Sequence, residues 1–286
     1  MPASHWAAGL HDDLLRTWLR EDAPHGDLST RGLGLQAEPA HIHFLARADM
    51  VLAGVEAAAR LLTLCGVSVQ VLRADGMAAA AGEPLLSGVG PASGVLLGWK
   101  VAQTLAEGCS GIATATAAIV RTLRDAGFAT PLACTRKTFP GTRMLAAEAV
   151  LAGGGVMHRL GLSESLLVFP EHRALLSSET PMARLAQLRA QQPEKRLVVE
   201  VLNADDALAM ARAGADVLQL ERFSPEQVAA LKAELAASRL PAQLAPAGGV
   251  NLRNAVAYAR AGADLLVSSA PYLAPPADIR VEITPA

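Results

Sequence analysis

Groups able to do chemistry are densest between residues 135 and 159. The sequence reads TRKTFPGTR over 135–143 and GGGVMHR over 153–159. Across 136–159, Arg136, Lys137, Arg143, Arg159 and His158 face one acid, Glu148, in a chain whose formal net charge is −2. Arginine offers a carboxylate or phosphate a planar two-pronged fork and lysine a point charge, so this mixture suits a ligand with several anionic oxygens. A solvated surface patch would carry the same charges. These, however, follow apolar runs and alternate with glycine-rich turns, as groups at strand ends do. Two carboxylates stand further along. Glu200 interrupts the apolar run RLVVEVL (196–202), where a buried charge needs a partner, and Glu221 follows DVLQL (216–220). They are expected to bond ribose hydroxyls or, beside a diphosphate, to hold Mg²⁺; ion pairing with Lys195 or Arg222 is the alternative. Gly248 and Gly249 precede an expected helix, and Ser268 and Ser269 follow an apolar run. Backbone N–H groups at those two turns would cradle a phosphate.

Repeated elements must position these groups. Residues 209–218 (AMARAGADVL) and 257–266 (AYARAGADLL) agree at eight of ten positions. Each copy ends a helix at a glycine and enters an apolar strand through an aspartate. Working outward, strands are predicted at 131–135, 164–169, 196–202, 216–220, 242–246 and 264–268, with helices near 102–127, 143–152, 178–192, 204–213, 224–238 and 251–261. The fold class is therefore α/β: an open, TIM-like α/β barrel of about six parallel strands over 106–270, with a doubly wound sheet as the alternative. Residues 1–105 read as an α+β sandwich domain. It would contain a helix over 10–20, alternation in HIHFLARADMVLAG, a helix over 54–65, and short strands separated by turns at Gly82, Pro84, Gly88, Gly90 and Pro91. The alternating tail RVEIT (280–284) marks 271–286 as a segment returning to that first domain.

Composition narrows the class. The 286 residues are 51% hydrophobic, 3% aromatic and 18% charged, which excludes a disordered chain. Near-neutral charge gives no general attraction for nucleic acid or for an anionic membrane. Cys65, Cys109 and Cys134 are odd in number and lack zinc-ligand spacing, so they read as core residues of a cytoplasmic chain. No apolar leader segment precedes Asp12, and the longest uncharged run, 84–99, is broken by Gly and Pro.

The motifs EDAPHGDLST (21–30), ADMVLAG (48–54), SGIAT (110–114), TRKTFPGTR, GGGVMHRLGL (153–162) and GGVN (248–251) resemble those of quinolinate phosphoribosyltransferase, over nearly the whole chain. The resemblance implies an α/β sandwich domain joined to an open barrel, in dimers whose sites borrow basic residues from the partner. It places Arg136, Lys137, His158 and Arg159 around a pyridine dicarboxylate and phosphoribosyl diphosphate (PRPP), with Thr135 and Arg143 beside them. Glu200 and Glu221 would face ribose and Mg²⁺, and Gly248, Gly249, Ser268 and Ser269 the 5-phosphate. Three departures stand out. Trp99-Lys100 replaces the family's Glu-Arg, Phe169-Pro170-Glu171-His172 its Lys-Asp-Asn-His, and Leu220-Glu221-Arg222 its Leu-Asp-Asn. Phe169 and Lys100 weaken the acid-binding side. The pattern is similar to the paralogous ModD-type pyrophosphorylases associated with molybdenum transport genes.

The expected function is a pentosyltransferase. It would move phosphoribose from PRPP, with Mg²⁺, to the ring nitrogen of an aromatic or heterocyclic acid and release pyrophosphate, in a homodimer with shared sites and with no nucleic-acid or membrane partner. The quinolinate enzyme of NAD biosynthesis, a Schiff-base lyase using Lys137 and a non-catalytic anion-binding protein are the alternatives.

Overall fold

The structure, a computed structural model, describes residues 10–176 and 181–286. The described chain falls into two compact units. The first comprises residues 10–117, 144–154 and 271–286; the second comprises 118–143 and 155–270.

The first unit begins with α1 (Leu10–Asp22), α2 (Leu28–Gly32), β1 (Pro39–Ala46), β2 (Met50–Val51), α3 (Val55–Leu64), β3 (Ser68–Val71), β4 (Ala78–Ala79), β5 (Pro84–Pro91) and the first part of α4 (Ala92–Asp125). On β1 the buried positions alternate, so Ala40, Ile42, Phe44 and Ala46 all point into the core. β1 pairs antiparallel with β5 on one side and with the last strand, Ile279–Pro285, on the other. Phe44 thereby lies opposite Val281. Against this sheet α3 buries Val55, Ala58, Leu61 and Leu62. Its N-terminal turn is held by Asp75, which accepts the Gly54 and Val55 N–H groups at 2.9 Å each.

Two expectations change here. Gly88 and Gly90 do not break the chain into turns: β5 runs through both, and a Cβ at either would come within 3.0 Å of Val67. Likewise α4 starts at Ala92 rather than near residue 102, because Gly94 lets the helix pass the Cys65 carbonyl, 2.2 Å from where its Cβ would stand. The glycines serve close approach rather than chain reversal. Cys109 and Cys134 are buried, with thiols that burial pushes up to about 12, and that of half-buried Cys65 is raised to about 11. All three are neutral core groups at neutral pH.

Among the described residues the second unit carries seven parallel strands with helices between them. In order these are β6 (Leu132–Cys134), α5 (Arg143–Ala152, which packs in the first unit), β7 (Val156–Met157), β8 (Leu166–Val168), α6 (Pro170–Ala174), α7 (Pro181–Gln191), β9 (Leu197–Val201), α8 (Ala204–Arg212), β10 (Val217–Glu221), α9 (Pro225–Ala237), β11 (Gln243–Ala247), α10 (Ala255–Arg260) and β12 (Leu266–Ser268). Residues 178–180 of the expected 178–192 helix lie outside the described residues. The strands form two sheets, β11-β10-β9-β8 and β12-β6-β7. They meet where the Asp264 and Leu265 N–H groups both donate to the Leu244 carbonyl, at 2.9 and 3.3 Å. The resulting order, β7-β6-β12-β11-β10-β9-β8, is a barrel left open between β7 and β8 among the described residues. β7 is the strand that the sequence reading lacks, because its two residues follow three glycines and form no apolar run. The repeated Ala-Gly-Ala-Asp also finds its reason. Gly214 and Gly262 turn with positive φ, and the aspartate that follows clips the start of the preceding strand. Asp216 accepts the Leu197 N–H at 2.7 Å, and Asp264 that of Leu244 at 2.8 Å.

Gly153 opens the triple-glycine turn after α5, which packs Leu145 and Ala149 against Cys109 and Ala113. A Cβ on Gly153 would stand 2.5 Å from the Ala113 carbonyl oxygen and 2.6 Å from Thr116 Cβ. Gly153→Ala is therefore expected to lower the unfolding free energy by about 1–3 kcal/mol in urea denaturation. An unchanged midpoint would show that α4 yields at no cost.

Candidate active site

The carboxyl ends of the parallel strands bring nearly all the sequence-predicted groups into one rim. β6 leads into Thr135, Arg136 and Lys137. The loop is tied down by Thr135, whose N–H donates to the Ser268 carbonyl at 3.0 Å and whose hydroxyl accepts the Lys137 N–H at 3.2 Å. β7 leads into His158 and Arg159, with the His158 N–H donating to the Cys134 carbonyl at 2.9 Å. Arg159 is only 5% exposed, yet among the described residues its guanidinium has no hydrogen-bond or ion-pair partner. Burial, and then the nearby positive charge of Arg136, pulls its pKa down. Half-buried His158 is lowered too, by burial first and by Arg159 second, so it is a neutral imidazole at neutral pH.

β8 ends at Phe169, whose ring lies under the Arg159 guanidinium with Cζ 5.7 Å from the ring centroid. His172 stacks on Phe169 at 5.7 Å, and its Nδ1 accepts the Phe169 N–H at 2.9 Å.

The next two strand ends are acidic. Glu200 on β9 and Gln219 on β10 are register partners, and Gln219 donates to the Glu200 carboxylate at 2.5 Å. Glu221 stands two residues beyond Gln219, on the same side of the strand. Burial pushes the Glu200 carboxyl above the usual range; the Gln219 hydrogen bond opposes this, Glu221 and Glu171 add to it, and Lys137 opposes it. Gly248, after β11, has φ +75, and a Cβ there would strike Glu221 Oε1 at 2.5 Å. The positive φ favours glycine at 248, and a larger residue would also displace the Glu221 carboxylate. Gly249, at φ +108, borders open space, and its carbonyl accepts from Asn251 and Asn254.

Other expected site residues have protein partners or places of their own. The Ser268 hydroxyl is buried; it donates to the Val250 carbonyl at 2.6 Å and accepts the Ala270 N–H at 3.0 Å. It braces the glycine turn, which leaves half-buried Ser269 and the backbone N–H groups as the exposed donors there. Arg143 opens α5. Lys100 belongs to the first unit, where its Nζ lies 4.0 Å over the Trp99 ring and donates to Gln103. Among the described residues no three His, Cys, Asp or Glu side chains converge as a metal cage. Sequence reasoning passed over Gln219, a polar residue inside an apolar strand, and Arg173. The latter donates to both oxygens of Asp206 and, at 3.0 Å, to the Glu200 carbonyl. A lone arginine after a proline-led turn gave no such signal.

Comparison with known proteins decides the family. Models described as quinolinate phosphoribosyl transferase, N-terminal domain, and quinolinate phosphoribosyl transferase, C-terminal domain, match residues 27–110 and 112–282. The chain belongs to the quinolinate phosphoribosyltransferase family. The "Putative pyrophosphorylase ModD" of Rhodobacter capsulatus is 46% identical to it over 253 residues, 88% of this chain and 97% of that one. The nicotinate-nucleotide pyrophosphorylase (carboxylating) of Rattus norvegicus is 32% identical over 253 residues, covering 88% and 84%. The solved structure of NadC from Streptococcus pyogenes, 28% identical, matches with a TM-score of 0.86 over 96% of both chains. Membership in the quinolinate phosphoribosyltransferase family carries the reaction class: the chain is a pentosyltransferase of the pyrophosphorylase type. Among the described residues no helix is long and apolar enough to cross a membrane.

The depressed His158 pKa gives an expected pH dependence. A polyanion bound beside the imidazole favours its charged form, so binding takes up a proton in the window between the lowered free value and the raised bound one. Inorganic pyrophosphate is thus expected to bind more tightly as pH falls through that window, with calorimetric heats that depend on the buffer's ionisation enthalpy. Pyrophosphate titrates near neutral pH itself, so the imidazole's share is read as the difference from His158→Gln, which is expected to take up fewer protons. Equal proton uptake by wild type and His158→Gln would show that His158 does not face the anion.

Proposed function

We propose that the chain transfers phosphoribose from PRPP to the ring nitrogen of an aromatic or heterocyclic acid, releasing pyrophosphate. The observation that carries this reading is the buried, unpartnered Arg159 beside Arg136, set on the same rim as the half-buried pair Glu200 and Glu221. A cationic half suits the diphosphate and an acid, and a carboxylate half suits the ribose and the positive charge that develops on it. In the step itself the ring nitrogen attacks C1 as the C1–O bond to the diphosphate breaks, and the bonding electrons leave with the pyrophosphate oxygen. Arg136, Lys137 and Arg159 hold and neutralise the departing anion, Glu200 and Glu221 face the oxocarbenium-like centre, and the turns at Gly248–Gly249 and Ser269 hold the 5-phosphate through backbone N–H groups. Two carboxylates without a cage fit a cation that keeps part of its shell on substrate oxygens and water. Glu200 and Glu221 would hold Mg²⁺ there, and the ion would supply further neutralisation of the diphosphate. The lyase alternative finds no support, since Lys137 is exposed and lacks the dry pocket of a Schiff-base lysine.

Phe169, an apolar ring where the family pattern has lysine, favours an acceptor less carboxylated than quinolinate. The ModD names of similar proteins favour a role linked to molybdenum transport or use, and three core thiols fit a cytoplasmic enzyme. The direct test is pyrophosphate release from PRPP and Mg²⁺ across a panel of aromatic acids. A mono-acid is expected to exceed quinolinate by about 10-fold or more in kcat/KM, because a carboxylate set against an aromatic ring forfeits a charge-assisted hydrogen bond of about 1.5–3 kcal/mol. Release with no acid of the panel would sink the reading. In the same assay Arg159→Met is expected to abolish turnover, since it removes a cation that would meet the departing anion, while the thermal midpoint read by circular dichroism stays within about 2 °C.

The family resemblance places Lys100 in the neighbouring subunit's site, and we propose a homodimer on that basis. Exposed Val71 on the edge strand β3 and exposed Val89 on its neighbour β5 support a second copy. Mixing inactive Lys100→Ala and His158→Ala chains is expected to restore part of the activity in hybrid dimers. Verified heterodimers without activity would refute shared sites.

A further inference from the structure

We infer that Phe169 is the positioning residue of Arg159. It stabilises the buried guanidinium through the face of its ring while leaving the whole donor edge for an anionic ligand. The inference rests on the phosphoribosyl reading for the identity of that anion, but its geometry stands apart from it.

A guanidinium with so little exposure is commonly held by a counterpart, most often a carboxylate. Here the carboxylates of the rim lie elsewhere: Glu200 is bonded to Gln219, and Glu221 sits beside Arg222 and Gly248. Arg159 instead has the Phe169 ring at 5.7 Å, within the range of a cation–π contact. The distinction matters for function. A carboxylate would occupy two of the five N–H donors and cancel the charge, whereas an aromatic face attracts the cation without accepting hydrogen bonds in a carboxylate's place, and so leaves donors for a ligand. The neighbours of Arg159 make such a hold necessary. Arg136 repels it, and neutral His158 supplies no counter-charge.

Phe169 is itself fixed from two sides. His172 stacks on its ring, and the Nδ1 of the same imidazole accepts its backbone N–H, so ring and main chain are set by one residue of α6. Three planar groups in succession, His172, Phe169 and Arg159, thus convert the end of β8 into a seat for a cation contributed by the end of β7. The contact also crosses from β7 to β8, the two neighbours that share no strand pairing among the described residues.

The test compares Phe169→Trp, which keeps an aromatic face, with Phe169→Leu, which keeps only apolar bulk. The first readout is the Arg159 side-chain Nε–H resonance in ¹⁵N-resolved spectra of the full protein without ligand. It is expected to be shifted by the ring current in wild type and Phe169→Trp and to move to the ordinary arginine position in Phe169→Leu. The second is calorimetric binding of inorganic pyrophosphate, expected to stay within about twofold for Phe169→Trp and to weaken roughly 5- to 30-fold for Phe169→Leu. An unshifted resonance in wild type, or equal weakening by both substitutions, overturns the inference, because a packing role would not distinguish an aromatic replacement from an aliphatic one of similar burial. A shifted resonance with no pyrophosphate binding by the wild type overturns the phosphoribosyl reading, and with it the anion assigned to Arg159, while the hold of Phe169 on the guanidinium stands.

Discussion

A guanidinium buried next to a second guanidinium, with no carboxylate to answer it, is unstable by itself, and the arrangement of the barrel rim follows from keeping Arg159 in that state. Water would solvate it and a salt bridge would neutralise it, but either would consume the donors that an incoming anion must find. The protein supplies instead an aromatic face beneath the cation, an uncharged imidazole beside it, and a backbone in which the His158 N–H is already engaged with the end of β6. In the proposed reading such a site suits a ligand that brings the missing negative charge.

The acidic half obeys the complementary rule. Glu200 and Glu221 stand on adjacent strands, close enough to raise the proton affinity of Glu200, and Gln219 and Lys137 hold that rise in check. Opposed charge clusters at the ends of parallel strands would collapse onto each other if side chains were free to reach across. Short strands and tight loops give each cluster its own place on the rim, with Lys137 near enough to Glu200 to lower its proton affinity and Gly248 lying against the Glu221 carboxylate.

Helix α6, five residues long, links the two halves. Phe169 at its start meets Arg159, and Arg173 near its end bonds Asp206 and the Glu200 carbonyl, with its Nε enclosed and unbonded. The span from cationic to acidic groups is thereby set by one turn of helix rather than by a flexible loop. In the family resemblance this segment departs most from the expected pattern, so the substitution of Phe for Lys changes the support of the site together with its charge.

Periodicity, composition and the copied Ala-Gly-Ala-Asp units determined the alternating α/β order, the parallel barrel and the groups at the strand ends, because those features are written locally: apolar runs of strand length, glycine where φ must be positive, charge where a run stops. The clustering of Arg136, Lys137, His158 and Arg159 was legible for the same reason, since two adjacent loops carry all four. Tertiary structure alone decided the rest. That Gly88, Gly90 and Gly94 admit a neighbour rather than turn the chain, and that Gly153 does both, depends on segments distant in sequence. That the Ser268 hydroxyl braces a turn depends on the Val250 carbonyl, and the short β7 is a strand only because β6 lies beside it. The pairing of Phe169 with Arg159, like that of Arg173 with Glu200, joins residues that share no local pattern. Contacts of this kind are fixed by which strand ends the barrel sets side by side, and a linear sequence does not display that adjacency.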